Sequence, residues 1–118
     1  MANILVVDDS LFQRNRICKI IRELGHESIT AENGMQGLAK MKSEQPDCIL
    51  TDLLMPVMDG FELMKNLKES GNNIPIIVLT ADIQESIKSE CVEYGAKVFL
   101  NKPPKKEQLI LALEQILK

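Results

Sequence analysis

Two adjacent aspartates, Asp8 and Asp9, directly follow the apolar run Ile4–Val7, and a third, Asp52, lies just beyond the apolar run Cys48–Leu50. Carboxylates held close together repel each other, which raises the pKa of at least one of them unless a cation neutralises the charge. Mg²⁺ prefers oxygen ligands and is commonly held by one or two carboxylates together with a phosphate. The three aspartates therefore indicate a divalent-cation site, provided that the fold brings the two runs together.

A hydroxyl and an amine follow two later apolar runs: Thr80, with Ala81 next to it, and Lys102. In phosphoryl transfer, a protein mainly positions the group and neutralises the charge that spreads over three oxygens. One oxygen could go to the metal, one to Lys102 and one to Thr80 together with the Ala81 N–H. An aspartate can itself be the nucleophile and form an aspartyl phosphate. Asp52, opposite the adjacent pair, is the best placed for this role.

Short apolar runs alternate along the chain with segments whose apolar residues repeat at helical spacing, as in Ile17, Ile20, Ile21 and Leu24 before Gly25. Continuous apolar strands separated by helices predict a parallel sheet covered on both faces, hence a doubly wound α/β fold. With five strands we expect the order 2-1-3-4-5, and a binding crevice where strands 1 and 3 end. The predicted strands contain Ile4–Val7, Ser28–Thr30, Cys48–Leu50, Ile74–Leu79 and Val98–Leu100.

Composition narrows the class of protein. The chain has 118 residues, 45% of them apolar, a net charge of -3, three Phe, one Tyr and no Trp. This length predicts a single domain over residues 1–118 with no second domain, although a fragment of a longer protein is the alternative. Without a basic patch or stacking aromatics, we expect neither nucleic acid nor a membrane as a direct partner. Three widely spaced cysteines, Cys18, Cys48 and Cys91, predict buried free thiols and a cytoplasmic location.

Four motifs together resemble the receiver domain of two-component response regulators, of the chemotaxis-regulator (CheY-like) type. They are Asp8-Asp9, the segment "TDLLMPVMDG" around Asp52, Thr80-Ala81 and Lys102-Pro103. The resemblance covers the whole chain and implies a (βα)5 flavodoxin-like fold. It also implies that the protein is a signalling phosphoacceptor, which promotes only its own phosphorylation and dephosphorylation.

The resemblance implies particular roles for the site residues. Asp52 would accept a phosphoryl group from a sensor histidine kinase or a phosphotransfer protein. Asp9 and Asp52 would bind Mg²⁺ (or Mn²⁺) directly, with the backbone carbonyl of Leu54 as the third protein ligand and Asp8 acting largely through water. Lys102 would bind a phosphoryl oxygen, and the Lys102–Pro103 peptide is expected to be cis.

The resemblance further implies a conformational switch. Thr80 would turn toward the phosphoryl group, and Phe99 would fill the space that Thr80 leaves. The output surface would be the face formed by helix 4, strand 5 and helix 5, where a downstream protein binds. Helical spacing places Leu111 on the outside of helix 5, as an ordinary exposed residue or as a contact for a partner. We expect a monomer or a weak, phosphorylation-dependent dimer.

Two departures from the family pattern affect these expectations. Phe99 lacks the hydroxyl of the more common Tyr, so its inward and outward states differ less in hydrogen bonding. Leu54 is apolar where many relatives are polar, and we hypothesise that Leu54 and Asp82 set the lifetime of the aspartyl phosphate.

Two other functions fit the same fold class. An aspartate-nucleophile phosphatase of the haloacid dehalogenase type would need Asp-x-Asp after strand 1, whereas Asp8 and Asp9 are adjacent. A flavodoxin-like flavin or nucleotide binder would need a glycine-rich phosphate loop after strand 1, where this chain has Asp8-Asp9-Ser10.

Overall fold

The computed structural model describes residues 1–81 and 84–117, in which five strands and five helices alternate. The strands are β1 Asn3–Val7, β2 Glu27–Ala31, β3 Cys48–Asp52, β4 Ile76–Thr80 and β5 Ala96–Asn101. The helices are α1 Leu11–Glu23, α2 Gly34–Glu44, α3 Gly60–Glu69, α4 Glu85–Glu93 and α5 Lys106–Ile116.

All strand pairs are parallel, and the sheet order is β2-β1-β3-β4-β5. This order confirms the predicted doubly wound topology. The register pairs Val7 with Thr51 across β1 and β3, so the residues that follow β1 lie beside the end of β3. The strand order therefore reverses where the acidic residues of the first and third strands meet.

The sheet has an apolar core on each face. On one face, α1 and α5 pack over strand residues that include Ile4 and Leu50. On the other face, α2, α3 and α4 cover residues that include Leu5 and Ile49. Complete burial of such side chains stabilises the fold by roughly 1.5–3 kcal/mol each. Both faces are covered, which explains why β1, β3 and β4 are apolar runs rather than alternating patterns.

Side chains cap three of the helices. Ser10 accepts a hydrogen bond from Gln13 N at the start of α1, and Asn33 accepts one from Gln36 N at the start of α2. Asp59 likewise accepts a hydrogen bond from Glu62 N at the start of α3. Asp82, which was expected to affect the lifetime of the aspartyl phosphate, and its neighbour Ile83 lie outside the described residues. Gln84 precedes α4 without a side-chain hydrogen bond to the helix.

One strand boundary was predicted too early. The apolar run begins at Ile74, but β4 begins at Ile76. The Ile74 N–H donates to the side chain of Asn72 over 2.9 Å, and Pro75 has no N–H to give to a sheet. A local turn thus takes the first two residues of the run.

The three cysteines are buried and free, as predicted. Burial of the Cys48 thiol raises its pKa to about 12, and burial of Cys91 raises the pKa of that thiol to about 11. Both thiols are therefore inert structural residues. Among the helices of residues 1–81 and 84–117, none has the length and apolar character to cross a bilayer.

Candidate functional site

The three aspartates meet at the carboxyl ends of β1 and β3. Each of Asp8, Asp9 and Asp52 has a carboxylate oxygen within 4.8 Å of those of the other two. Asp8 and Asp52 are buried, whereas Asp9 is exposed. The predicted convergence of these residues is thus present in the structure, with one member of the group open to solvent.

Lys102, which follows β5, reaches into the same cluster. Its Nζ donates a hydrogen bond of 2.5 Å to Asp52 Oδ2 and lies 3.3 Å from Asp8 Oδ2. Burial of the ammonium lowers its pKa, but the hydrogen bond and the charge of Asp52, together with the charge of Asp8, outweigh burial and raise the pKa of Lys102 overall. The lysine is therefore held as a cation between the two buried carboxylates.

The carboxyl of Asp8 has a raised pKa. Burial raises the pKa of its carboxyl, and the neighbouring charge of Asp52 raises it further. The hydrogen bond from Ser10 N to Asp8 Oδ1, at 2.9 Å, and the charge of Lys102 lower the pKa but only in part. Asp8 Oδ2 is buried and accepts no aligned hydrogen bond within the described part of the chain.

This donor set fits a hard divalent cation. Three carboxylates carry more negative charge than the single ammonium of Lys102 balances, and all the convergent ligand atoms are oxygens. Mg²⁺ and Mn²⁺ favour such oxygen sites, and a cation would add to the charge that Lys102 alone supplies to Asp8 Oδ2. The residues that are present therefore suit the metal that the sequence predicted.

Asp52 is held from two sides. Its Oδ1 accepts a 2.8 Å hydrogen bond from the Leu53 N–H, while Oδ2 is bound by Lys102. Behind it, the start of α3 approaches the strand so closely that a Cβ on Gly60 would overlap the Asp52 carbonyl oxygen. Gly60 N also donates to Leu53 O over 2.9 Å. Gly60 thus allows α3 to pack against the end of the acceptor strand, a role that is not evident from the sequence.

The other predicted site residues surround this cluster. Thr80 is buried at the end of β4, Ala81 is exposed beside it, and the Lys102–Pro103 peptide is cis, as predicted. Leu54, two residues beyond Asp52, exposes 77% of its surface.

Phe99 lies on β5, paired in register with Val78, and is half-buried against the core on the α4 side of the sheet. The ammonium of Lys88 is 5.7 Å from its ring centroid. Side chains alternate between the two faces of a strand, so Thr80 lies on the same face as Val78 and Phe99. Leu111 is exposed on α5, as its helical position predicted.

One charged residue at this site was not predicted from the sequence. Arg14 on α1 is buried, and its Nη1 donates a 2.6 Å hydrogen bond to the backbone carbonyl of Asp8. Its Nη2 lies 3.7 Å from Glu32 Oε1. Arg14 lies four residues after the cap Ser10 on a helix with an apolar inner face, and that spacing alone did not distinguish it from a surface arginine.

Comparison with known proteins agrees with this geometry. A family model described as the response regulator receiver domain matches residues 4–114. Protein PilH of Pseudomonas aeruginosa is 34% identical over 99% of this chain and 98% of its own length. The chemotaxis protein CheY of Bacillus subtilis is 36% identical over 97% of this chain and 96% of its own. The crystallised chemotaxis protein CheY4 of Vibrio cholerae superimposes with a TM-score of 0.92, at 35% identity over 98% of both chains.

A parallel sheet of order 2-1-3-4-5 with acids at the ends of its first and third strands defines a flavodoxin-like receiver fold. This chain belongs to the response regulator receiver domain family of two-component systems. That assignment favours the signalling phosphoacceptor over the haloacid dehalogenase and flavin-binding alternatives.

Proposed function

We propose that this chain is a response regulator that accepts a phosphoryl group on Asp52, in a Mg²⁺-dependent reaction, from a histidine kinase or a phosphotransfer protein. The observation that carries the proposal is the position of the Lys102 ammonium, 2.5 Å from Asp52 and 3.3 Å from Asp8, within a cluster of three carboxylates. A cation held beside a nucleophilic carboxylate suits the binding of a dianionic phosphoryl group.

In the proposed transfer, Asp52 Oδ2 attacks the phosphorus of a phosphohistidine. The P–O bond to Asp52 forms, the P–N bond breaks, and the released imidazole takes up a proton from solvent. Lys102 moves from Asp52 Oδ2 to a phosphoryl oxygen, while the Thr80 hydroxyl and the Ala81 N–H donate to another. The Leu53 N–H holds Asp52 Oδ1 throughout, so Oδ2 is the oxygen left on the side of Lys102 for the attack.

Asp9 and Asp52, with the backbone carbonyl of Leu54, are the residues that would hold Mg²⁺, with Asp8 contributing mainly through water. When bound, the metal neutralises charge on the phosphoryl oxygens and on the acidic cluster. Asp9 is exposed, which supports this assignment because an incoming ion can reach its carboxylate without opening the fold.

A downstream protein would bind to the face formed by α4, β5 and α5. A shallow groove of about 280 Å³ lies between β5 and α5 on this face, and its lining includes Phe99, Leu111, Gln108 and Gln115. Attraction of Thr80 to the phosphoryl group would vacate space next to Phe99 on the same face of the sheet, and an inward turn of the ring would reshape the groove. A downstream protein that binds here would distinguish the two states.

The near-complete matches with PilH and CheY support a regulator that acts through the receiver domain itself and not as an enzyme on a separate substrate. The proposed output is therefore a protein contact made by a monomer or by a weak dimer.

Incubation with acetyl phosphate tests the proposal. The wild-type chain should gain one phosphoryl group by intact mass in Mg²⁺ and none in EDTA, and Asp52→Asn should gain none in either buffer. Asp47→Asn is the matched control, because Asp47 is an exposed aspartate just before β3, at the opposite end of the strand. Labelling of Asp52→Asn, or wild-type labelling that is equal in EDTA, would overturn the assignment.

A further inference from the structure

Arg14 occupies an unusual position for a charged side chain. It is 7% exposed, and a buried guanidinium is costly unless it makes specific contacts. Its two contacts join three elements: Arg14 extends from α1, Asp8 follows β1, and Glu32 follows β2. The side chain thus links the loop of the acidic cluster to the neighbouring strand.

The group that Arg14 binds is the carbonyl of the peptide between Asp8 and Asp9. A peptide unit is planar, so its orientation determines the directions in which both flanking residues leave the plane. The Asp8 N–H is also fixed, by a 3.1 Å hydrogen bond to Ala31 O. The backbone of the adjacent acids is therefore held by one contact on each side of Asp8.

Asp9 depends on this backbone support. The Ser10 N–H holds the Asp8 carboxylate, and Lys102 holds that of Asp52. No hydrogen bond or ion pair holds the Asp9 carboxylate among residues 1–81 and 84–117. Its position relative to Asp52 therefore depends on the peptide plane that Arg14 binds.

Glu32, the second partner of Arg14, is itself fixed although it is exposed. Gln36 of α2 donates from Nε2 to Glu32 Oε2 over 3.1 Å, and its Oε1 accepts from the Glu32 N–H over 2.9 Å. A continuous series of polar contacts thus connects the acidic cluster to the first turn of α2. It runs from the Asp8 carbonyl through Arg14 and Glu32 to Gln36.

We propose that Arg14 is a positioning residue for the divalent-cation site, which holds the Asp8–Asp9 peptide so that the Asp9 carboxylate faces Asp52. This role rests on the proposed Mg²⁺ site but concerns a residue that touches neither the metal nor the phosphoryl group. Residues that orient metal ligands in this way commonly change metal affinity by about 10–100-fold when they are replaced.

The sign of the effect separates positioning from simple charge. If Arg14 acted only as a nearby positive charge, Arg14→Met would remove repulsion and tighten Mg²⁺ binding. A positioning role predicts the reverse, with a dissociation constant for Mg²⁺ about tenfold higher, measured by calorimetric titration of the phosphate-free protein. Arg14→Lys keeps the charge but loses the planar fork, so it should also weaken binding.

A control separates this effect from lost stability. Leu67→Ala removes a buried side chain from α3 and should lower the melting temperature while leaving Mg²⁺ affinity at the wild-type value. Folded Arg14 variants that bind Mg²⁺ as tightly as the wild type, or more tightly, would overturn the proposal. Wild-type protein that binds no Mg²⁺ would instead refute the proposed function.

Gln36→Ala keeps the proposal testable if the Arg14 variants do not fold. This exposed residue is neutral before and after the change, so no charge effect contributes. Loss of its two hydrogen bonds to Glu32 should raise the Mg²⁺ dissociation constant about twofold, an effect that persists in high salt because it is not electrostatic in origin. A dissociation constant equal to that of the wild type would contradict the proposal.

Discussion

The two ends of the sheet differ in how their polar groups are paired. At the amino ends, backbone groups are paired: Ala2 N donates to His26 Nδ1 over 2.9 Å, and Asn3 N donates to Asp47 Oδ2 over 2.7 Å. At the carboxyl ends, the acids Asp8 and Asp52 are buried against a single ammonium. The contacts at the amino end hold the strands together. At the carboxyl end, the excess negative charge of the buried carboxylates destabilises the fold, and a bound cation would reduce that destabilisation. Stability and chemistry are therefore separated along the strand direction.

The largest expected effect is on the rate of phosphorylation at the carboxyl end. Lys102→Met removes the cation that faces the phosphoryl group and should slow labelling by acetyl phosphate at least about 100-fold, by analogy with the loss of one preorganised donor. Lys97→Met, at the amino end of the same strand, is the matched control and should label at the wild-type rate. Equal rates for the two variants would remove the functional distinction between the two ends.

Opposite signs of stability change are expected for acids at the two ends. Asp47→Ala loses the hydrogen bond from Asn3 N and should destabilise the protein by about 1 kcal/mol. Asp8→Asn removes a buried charge and should stabilise the metal-free protein by roughly 1 kcal/mol. Denaturant unfolding in EDTA measures both. Destabilisation by Asp8→Asn would show that its ion pair with Lys102 outweighs burial.

The free energy of unfolding should depend on pH differently in the wild type and in Asp8→Asn. Because the pKa of Asp8 is raised in the folded state, folding favours its protonated form. The contribution of Asp8 to stability therefore falls as the pH rises from near its ordinary pKa of 3.8 through the raised value. Unfolding in EDTA over this range should show that the advantage of Asp8→Asn over the wild type grows with pH. An advantage that stays constant would contradict the assignment to Asp8.

The smallest expected effect concerns communication from the carboxyl end to the output face. Beryllofluoride with Mg²⁺ should shift the ring NMR signals of Phe99 in the wild type. Thr80→Val keeps the shape of the side chain but loses its hydroxyl, so it should bind the ligand with little shift of those signals. A full shift in Thr80→Val would mean that Phe99 responds by another route.

The fold could be predicted from the sequence because buried parallel strands are continuous apolar runs. The runs of β1, β3 and β4 stand out from the helical patterns on either side of them. It also predicted that Asp8 and Asp52 would meet, since strand ends in a doubly wound sheet share one edge. Roles that depend on contacts across elements were not visible. Arg14 contacts the Asp8 carbonyl and Gly60 lies against the Asp52 carbonyl, and such approaches to backbone atoms leave no pattern in the sequence. Nor does the sequence predict the positive φ of Val57, 70°.

The most direct test of the proposed Mg²⁺ site is a crystal structure of the protein grown with Mn²⁺, in which anomalous scattering locates the ion. We expect one strong peak at the carboxyl ends of β1 and β3, in direct contact with carboxylate oxygens of Asp9 and Asp52 and with the carbonyl of Leu54. A well-ordered acidic cluster with no peak, or a peak bound elsewhere on the chain, would contradict it.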